Sequence, residues 1–294
     1  MRVANRRRDA ALLEGFEPRF ADVKAVRMRY FVAGEGPPLV LVHGLSGAAA
    51  NWRELAPRLA RRCRVLVPDL PGHGGSGGLP AAPSLDAYAE RLHGVAAREG
   101  MLPAAVVGHS LGGVIGLRWA IRRTDDVSAL VLAGAAGIGS ATRWAQFWVA
   151  LLGLTRPSKA VAPLRRSIAA HGALRRAVFT RWQVSDPLSL TARAIEALLV
   201  ATPLHVDVVS AGSALVADDP RDDLARVACP TLVVWGARDR QVPIDDAYEY
   251  ARRLGAPLRV IADCGHLLIV ERPEACLDAI EGFLRGIRPG SGSR

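Results

Sequence analysis

Residues 104–114 read AAVVGHSLGGV, an apolar run that passes directly into the motif GHSLG at residues 108–112. The run over 104–107 suits a strand that is buried on both faces. The pattern over Leu111–Arg122 has helical spacing, so the motif is expected at a sharp turn between a strand and a helix. Such a turn strains the backbone of Ser110 and presents its hydroxyl at the carboxyl end of the sheet, where open α/β sheets place ligands.

The same alternation of short apolar runs and helical patterns extends over most of the chain. Runs that predict strands occur at Arg27–Val32, Leu39–Val42, Arg64–Val67, Ala104–Val107, Leu130–Leu132, Thr231–Trp235 and Leu258–Ile261. Helical patterns lie between them, at Trp52–Arg61, Leu85–Glu99, Leu111–Arg122, Ala247–Leu254 and Pro273–Leu284. Because strands that alternate with helices pair in parallel, this order predicts an α/β fold with a doubly wound, mostly parallel sheet.

The alternation stops between residues 137 and 213, where four prolines separate short helical patterns. The first of these patterns places a set of apolar side chains on one helix face, namely Trp144, Phe147, Trp148, Leu151 and Leu152. We therefore predict a helical cap over residues 137–213 that roofs an apolar pocket. It would divide one α/β core into the parts 1–136 and 214–286, and the Gly/Ser-rich end, 287–294, is predicted to be a flexible tail.

The composition is basic and rich in apolar residues. The 294 residues include 38 Lys and Arg against 28 Asp and Glu, a formal net charge of +10. Lys24 and Lys159 are the two lysines, and such an arginine-dominated chain is typical of a GC-rich genome. No nucleic-acid-binding motif or basic helix accompanies the charge, so we expect no nucleic-acid partner. Half of the residues are hydrophobic, which excludes a wholly disordered chain.

The cysteines and the apolar stretches indicate the cellular compartment in which the protein is expected. Four cysteines are scattered without the spacing of a metal site or a disulfide framework, at Cys63, Cys229, Cys264 and Cys276. No apolar stretch reaches the roughly 18 residues of a membrane span, and Asp9 and Glu14 interrupt any leader after the N-terminal arginines. We expect a cytoplasmic protein without a transmembrane segment, a metal site or a cofactor.

A serine hydroxyl is a weak nucleophile until a histidine takes its proton, and a carboxylate must hold that histidine in place. His266 lies in DCGHL at residues 263–267, just after the last predicted strand. Asp239 lies in WGARD at residues 235–239, just after the strand before it. The sequence therefore predicts a catalytic triad in which Ser110 is the nucleophile, His266 the base and Asp239 the orienting acid.

These motifs, in this order, resemble those of the α/β-hydrolase fold superfamily, and the resemblance covers residues 27–284. Within it, HGLSG at residues 43–47 is similar to the family's H-G-x loop, and DLPGHGGS at residues 69–76 is similar to its D-x-x-G-x-G-x-S turn. The resemblance implies an eight-stranded sheet with a cap after the sixth strand. It also implies an oxyanion hole, made by the backbone N–H groups of Leu45 and Leu111, that stabilises a tetrahedral intermediate.

Four further residues are candidates for the substrate pocket, namely His43, His109, Trp144 and Trp148. His43 is expected mainly to order the oxyanion loop and His109 to pack beside the nucleophile, whereas His205 is expected at the surface or in the cap, where it could face the pocket. Some members of the superfamily carry the acid after the sixth strand. This chain reads AAG at residues 135–137, which favours Asp239 as the acid.

The resemblance implies a serine hydrolase that cleaves a carboxylic ester of a small, largely apolar molecule. Serine at position 110 argues against haloalkane dehalogenases and epoxide hydrolases, which use aspartate there. Carbon–carbon bond hydrolases of aromatic ring-cleavage products, lactonases and cofactor-free haloperoxidases use the same triad and stay open as alternatives. Outside enzymes, the alternative is a ligand receptor or regulator on the same fold, and comparing ester turnover by the wild type and by Ser110→Ala separates the two classes.

Overall fold

The structure, a computed structural model, describes residues 13–80, 83–139 and 160–287. Its sheet has eight strands: β1 (Glu17–Val23), β2 (Val26–Ala33), β3 (Pro38–Val42), β4 (Arg64–Pro68), β5 (Ala104–His109), β6 (Val127–Ala133), β7 (Thr231–Gly236) and β8 (Leu258–Ile261). Their order across the sheet is β1-β2-β4-β3-β5-β6-β7-β8. The pairs β1/β2 and β2/β4 are antiparallel and all other neighbours are parallel. This arrangement confirms the predicted α/β class with a mostly parallel sheet.

The described part of the chain contains ten α-helices. They are α1 (Ala56–Leu59), α2 (Leu85–Arg98), α3 (Leu111–Arg122), α4 (Arg165–Ala170), α5 (Gly172–Val178), α6 (Ala192–Val200), α7 (Val209–Val216), α8 (Ile244–Leu254), α9 (Leu268–Glu271) and α10 (Pro273–Gly286). Helices α2, α3, α8 and α10 lie where the sequence predicts helices, and their ends differ from the predicted ones by at most three residues.

The predicted helix over Trp52–Arg61 is wrong in its extent, because only Ala56–Leu59 within it is α-helical. The chain instead forms a 3-10 turn at Ala49–Trp52 and the single-turn helix α1. Pro57, in the first turn of α1, has no backbone N–H to continue a helix from Trp52, and its ring would clash with the preceding turn. Proline is tolerated where it stands because the first turn of a helix does not use that donor.

Strand β1 is not predicted by the apolar pattern. Its sequence EPRFADV carries charges and a proline, and it lies at the edge of the sheet. An edge strand needs little apolar surface, and charges on it discourage pairing with other molecules. β1 pairs with β2 along its whole length, from Glu17 opposite Val32 to Val23 opposite Val26. Lys24 and Ala25 form the turn with positive φ angles of 45° and 64°, as a two-residue hairpin requires.

The core lies on both faces of the sheet, as a doubly wound fold requires. In β7, Val233 and Trp235 pack in one cluster with helices α2, α3 and α8, whereas Leu232 and Val234 pack in the other. The second cluster contains residues of α6 and α10 and the large side chain of Trp52. Both faces of the central strands are therefore covered, which explains why those strands read as continuous apolar runs.

The segment predicted to form the cap is described at residues 137–139 and 160–213, and it contains α4, α5, α6 and most of α7. The apolar residues from Trp144 to Leu152 lie outside the described residues, so that part stays a prediction. The division into core and cap stays a prediction. No single helix in the described ranges is long and apolar enough to span a membrane, although the bent pair Ala192–Leu204 and Val209–Val216 reaches that length and composition when taken together.

Helix α3 approaches β3 very closely at Gly112. A Cβ atom at this position would overlap the carbonyl oxygens of Val42 and His43, which belong to a central strand and the loop after it. The motif glycine at 112 is therefore required by packing, because the start of α3 can reach its place against the sheet only without a side chain.

We expect Gly112→Ala to lower the free energy of unfolding by about 2 kcal/mol or more, because the backbone must shift to relieve the overlap. Gly282→Ala is the matched control, since Gly282 is helical and exposed and a Cβ there meets nothing within 4 Å. The control should stabilise the protein by about 0.5–1 kcal/mol through helix propensity. Urea unfolding measures both, and equal effects of the two substitutions would contradict the packing argument.

Candidate active site

Ser110 occupies the sharp turn between β5 and α3, with a φ of 54° and a ψ of −119°. This conformation costs a non-glycine residue about 1–3 kcal/mol and persists only where the surroundings enforce it. The Ser110 N–H donates to the carbonyl of Ala133 (3.0 Å), and its carbonyl accepts from Gly113 (2.9 Å) and Ala136 (3.2 Å). A Cβ on Gly44 would lie 3.0 Å from the Ser110 Cβ. The serine is thus pinned from β6, α3 and the loop after β3.

The structure brings together Ser110, His266 and Asp239, as their order in the chain predicts. His266 Nε2 lies 2.9 Å from Ser110 Oγ, and His266 Nδ1 lies 2.7 Å from Asp239 Oδ2. The second carboxylate oxygen of Asp239 accepts from the N–H groups of Gln241 (2.8 Å) and Val242 (2.9 Å). The side chains of Asp239 and His266 are 0% and 4% exposed. Because a carboxylate only accepts, Nδ1 carries the proton and Nε2 presents its lone pair to the serine hydroxyl.

The loop that carries His266 is braced by Glu271, a buried carboxylate that sequence reasoning missed. Glu271 accepts hydrogen bonds from the N–H groups of Gly265 (2.7 Å), Ser185 (2.8 Å) and Asp186 (3.2 Å). It therefore joins the histidine loop to the segment between α5 and α6. The available signal is a single acid at the end of the apolar run LLIVE at residues 267–271, because a carboxylate inside such a run must find donors when buried.

His109 packs against the catalytic histidine candidate. Its Nε2–H donates to the backbone carbonyl of His266 (2.9 Å), and the two ring centroids lie 5.1 Å apart. Burial, with a smaller contribution from the charge of His266, lowers the pKa of His109 to about 3. The ring is neutral near pH 7 and supports the position of His266, which agrees with its expected role as a packed neighbour of the nucleophile.

The loop after β3 brings the N–H of Leu45 to the same edge of the sheet as the N–H of Leu111. Neither group has a hydrogen-bond acceptor among the described residues. His43 orders this loop, since its Nδ1–H donates to the Gly44 carbonyl (2.8 Å) and its Nε2 accepts from Leu70 N–H (3.0 Å). Burial lowers the pKa of His43 to about 4. Both ring nitrogens of His43 are engaged within the protein, so it cannot serve as a second base.

A buried ion pair anchors the turn at residues 69–76. Asp69, whose side chain is 0% exposed, accepts from Arg29 Nε (2.5 Å), Ala49 N–H (2.8 Å) and Gly75 N–H (2.9 Å). These bonds join β2, the loop after β3 and the turn itself. The motif predicts a structural turn, but the partner Arg29 was missed. The strand VRMRYFVA carries two arginines, Arg27 and Arg29, and the sequence alone does not show that Arg29 is the buried one.

Two predicted pocket residues, Trp144 and Trp148, lie outside the described residues. Within the described ranges, no group of three His, Cys, Asp or Glu side chains is arranged to hold a metal ion. What the arrangement provides chemically is a hydroxyl that contacts a base, which in turn contacts a buried carboxylate.

Comparisons with known proteins identify the family of this chain. A family profile described as alpha/beta hydrolase fold matches residues 37–273. The chain is 33% identical to the pimeloyl-[acyl-carrier protein] methyl ester esterase of Aromatoleum aromaticum, over 85% of this chain and 99% of the relative. It is 29% identical to the 2-hydroxy-6-oxo-6-(2'-aminophenyl)hexa-2,4-dienoic acid hydrolase of Metapseudomonas resinovorans, over 90% of both chains.

The fold is also that of a solved enzyme structure. The enol-lactonase of Burkholderia xenovorans superposes with a TM-score of 0.75 at 24% identity, covering 91% of this chain and 100% of that chain. The family match spans both the serine turn and the loop that carries His266. This chain belongs to the alpha/beta hydrolase fold family.

Proposed function

We propose that the protein is a serine hydrolase that cleaves a carboxylic ester of a small, largely apolar molecule. The observation that carries the proposal is the hydrogen-bonded chain from Ser110 Oγ through His266 to Asp239, whose side chains are buried at the carboxyl edge of the sheet. A nucleophile within reach of a base that is itself oriented by an acid is the arrangement that covalent acyl transfer requires.

In the first half of the reaction, Ser110 Oγ attacks the carbonyl carbon of the ester while its proton passes to His266 Nε2. The electron pair of the carbonyl double bond moves to oxygen, and the N–H groups of Leu45 and Leu111 stabilise that negative charge. Asp239 stabilises the imidazolium and keeps its proton on Nδ1. The tetrahedral intermediate then collapses, the ester C–O bond breaks, and His266 returns its proton to the departing alkoxide.

In the second half, water hydrolyses the acyl-enzyme by the same route. His266 takes a proton from water, the resulting hydroxide attacks the acyl carbon, and a second tetrahedral intermediate forms. The C–O bond to Ser110 breaks as His266 protonates the serine oxygen, so the carboxylic acid leaves and the enzyme is restored. No step needs a metal or a cofactor.

The relatives support more than one acyl substrate. One relative is named as a methyl ester esterase, which corresponds to ester cleavage. Another is named as a hydrolase of a dienoic acid, which corresponds to carbon–carbon bond cleavage. We favour the ester because the cap is predicted to form an apolar roof, whereas an acidic substrate requires an inward-facing cation. A carbon–carbon bond hydrolase is the second candidate, and the relative from Metapseudomonas resinovorans favours it.

Substitution of the triad tests the mechanism. Ser110→Ala and His266→Ala should each lower kcat for a short p-nitrophenyl ester by about 10⁵- to 10⁶-fold, because the two residues act in one step. Asp239→Asn should cost less, about 10⁴-fold. Exposed residues of the same types, in Ser213→Ala and His171→Ala, are matched controls that should leave kcat unchanged. Wild-type turnover of every ester by Ser110→Ala would show that the nucleophile is wrongly assigned.

Chain-length dependence tests the apolar roof. We expect kcat/KM to rise from acetyl to medium-chain p-nitrophenyl esters by about 1 kcal/mol, or about fivefold, for each methylene that becomes buried. Trp148→Ala should weaken this preference and leave the acetyl ester almost unaffected. Phe20→Ala removes an exposed aromatic residue from the edge strand β1 and is the control. Activity that stays flat or falls with chain length would favour a carboxylate-bearing substrate instead.

A further inference from the structure

His205 connects the segment between α6 and α7 to two loops beside the nucleophile. Its ring is buried, with the residue 4% exposed. Nδ1 accepts a hydrogen bond from the Gly74 N–H (2.8 Å), and Nε2 lies 3.0 Å from the Ser46 carbonyl oxygen. A backbone N–H only donates and a carbonyl only accepts, so the tautomer is fixed with its proton on Nε2. One neutral imidazole thus bridges two loops that are 28 residues apart in the chain.

The Ser46 carbonyl lies in a strained part of the loop after β3, next to Leu45. Ser46 directly follows Leu45, whose N–H is one of the two donors assigned to the oxyanion hole. It has a φ of 58°, a left-handed conformation that a non-glycine residue adopts only at a cost. The adjacent Gly47 N–H turns back to the Gly44 carbonyl (3.0 Å). A hydrogen bond that holds the Ser46 carbonyl therefore restrains the turn that aims the Leu45 N–H.

The other end of the bridge is equally well anchored. Val206 and Asp207 both donate from their backbone N–H groups to the Gly72 carbonyl (3.0 Å each). A Cβ on Gly72 would overlap the backbone of Asp207, so the two stretches are in direct backbone contact. These bonds fix the histidine backbone on the turn at residues 69–76, and the ring extends from there to the Ser46 carbonyl.

We propose that His205 is a positioning residue for the oxyanion hole: its Nε2–H holds the Ser46 carbonyl and so keeps the Leu45 N–H aimed at the developing oxyanion. The inference rests on the proposed hydrolase function and assigns a role to a residue that takes no part in the proton transfers. Negative charge on the carbonyl oxygen of the substrate ester develops only in the transition state. A misaimed Leu45 N–H therefore lowers kcat, while binding of the substrate in the ground state is largely kept.

Two conservative substitutions separate the two bonds of the ring. In His205→Gln, the side-chain amide nitrogen can take the position of Nε2 and still donate to Ser46, but the bond from Gly74 is lost. In His205→Asn, the shorter amide oxygen can take the position of Nδ1 and accept from Gly74, but it cannot reach Ser46. Each variant loses one hydrogen bond, so a merely structural role predicts similar losses of stability and activity in both.

The kinetic test uses an ester whose turnover Ser110→Ala abolishes. His205→Asn and His205→Ala should lower kcat by about tenfold or more with KM changed less than about twofold, since one oxyanion donor is worth about 10²- to 10³-fold. His205→Gln should stay within about threefold of the wild type. Affinity for an alkylboronic acid, which forms a tetrahedral adduct on serine, should fall in parallel with kcat/KM. Equal losses in the Gln and Asn variants, or no loss in any variant, would overturn the proposal.

Amide hydrogen exchange decides the question without turnover, so failure of the proposed function and failure of this inference are distinguishable. The Gly47, Ala48 and Ala49 amides should exchange faster in His205→Asn than in the wild type and keep wild-type rates in His205→Gln. The Gly74 amide should behave in the opposite way, because its direct acceptor is lost only in the Gln variant. Unchanged exchange of the three loop amides in His205→Asn would refute the positioning role even if the triad substitutions behave as expected.

Discussion

The strained backbone of Ser110 is the constraint on which the rest of the site depends. A left-handed φ at a non-glycine residue costs about 1–3 kcal/mol, and here it is enforced by hydrogen bonds to β6, α3 and the loop that follows β6. The serine turn also lies very close to β3 and the loop after it, which explains the glycines around the serine. A side chain at Gly112 would overlap the end of β3, and one at Gly44 would crowd the serine itself. The same contacts that fix the serine therefore bring the loop after β3 beside it.

Buried polar groups hold the loops that this turn brings together. Asp69 joins the loop after β3 to β2 through Arg29, Glu271 joins the histidine loop to the segment before α6, and His109 supports the backbone of His266. Each of these groups would be costly to bury without partners. Because their hydrogen bonds are made mostly to backbone atoms, they fix the conformation of the loops, and the relative positions of Ser110, His266 and Asp239 follow from that conformation.

The sequence predicts well what depends on local pattern. The parallel strands, the helices over Leu85–Arg98 and Leu111–Arg122, and the proximity of Ser110, Asp239 and His266 all follow from apolar periodicity and motif order. It fails where a feature depends on distant partners. The charged edge strand β1 is recognisable only once β2 is placed beside it, and His205 meets its partner Ser46 across 159 residues. Pro57 is a local signal against a continuous helix after Trp52, because proline has no backbone N–H to donate within a helix.

In the proposed mechanism Ser110 alone is activated as a nucleophile, and covalent labelling tests this assignment most directly. An alkyl fluorophosphonate should add one group to the intact protein, because the base and the oxyanion donors that serve an ester also stabilise attack on phosphorus. Ser76 lies in a neighbouring loop, but its hydroxyl is engaged with the Asp69 carbonyl and the Arg29 N–H. Peptide mass spectrometry should place the adduct on Ser110, with labelling strongly slowed in His266→Ala. An adduct on Ser46 or Ser76, or labelling that is unaffected by loss of His266, would contradict the account.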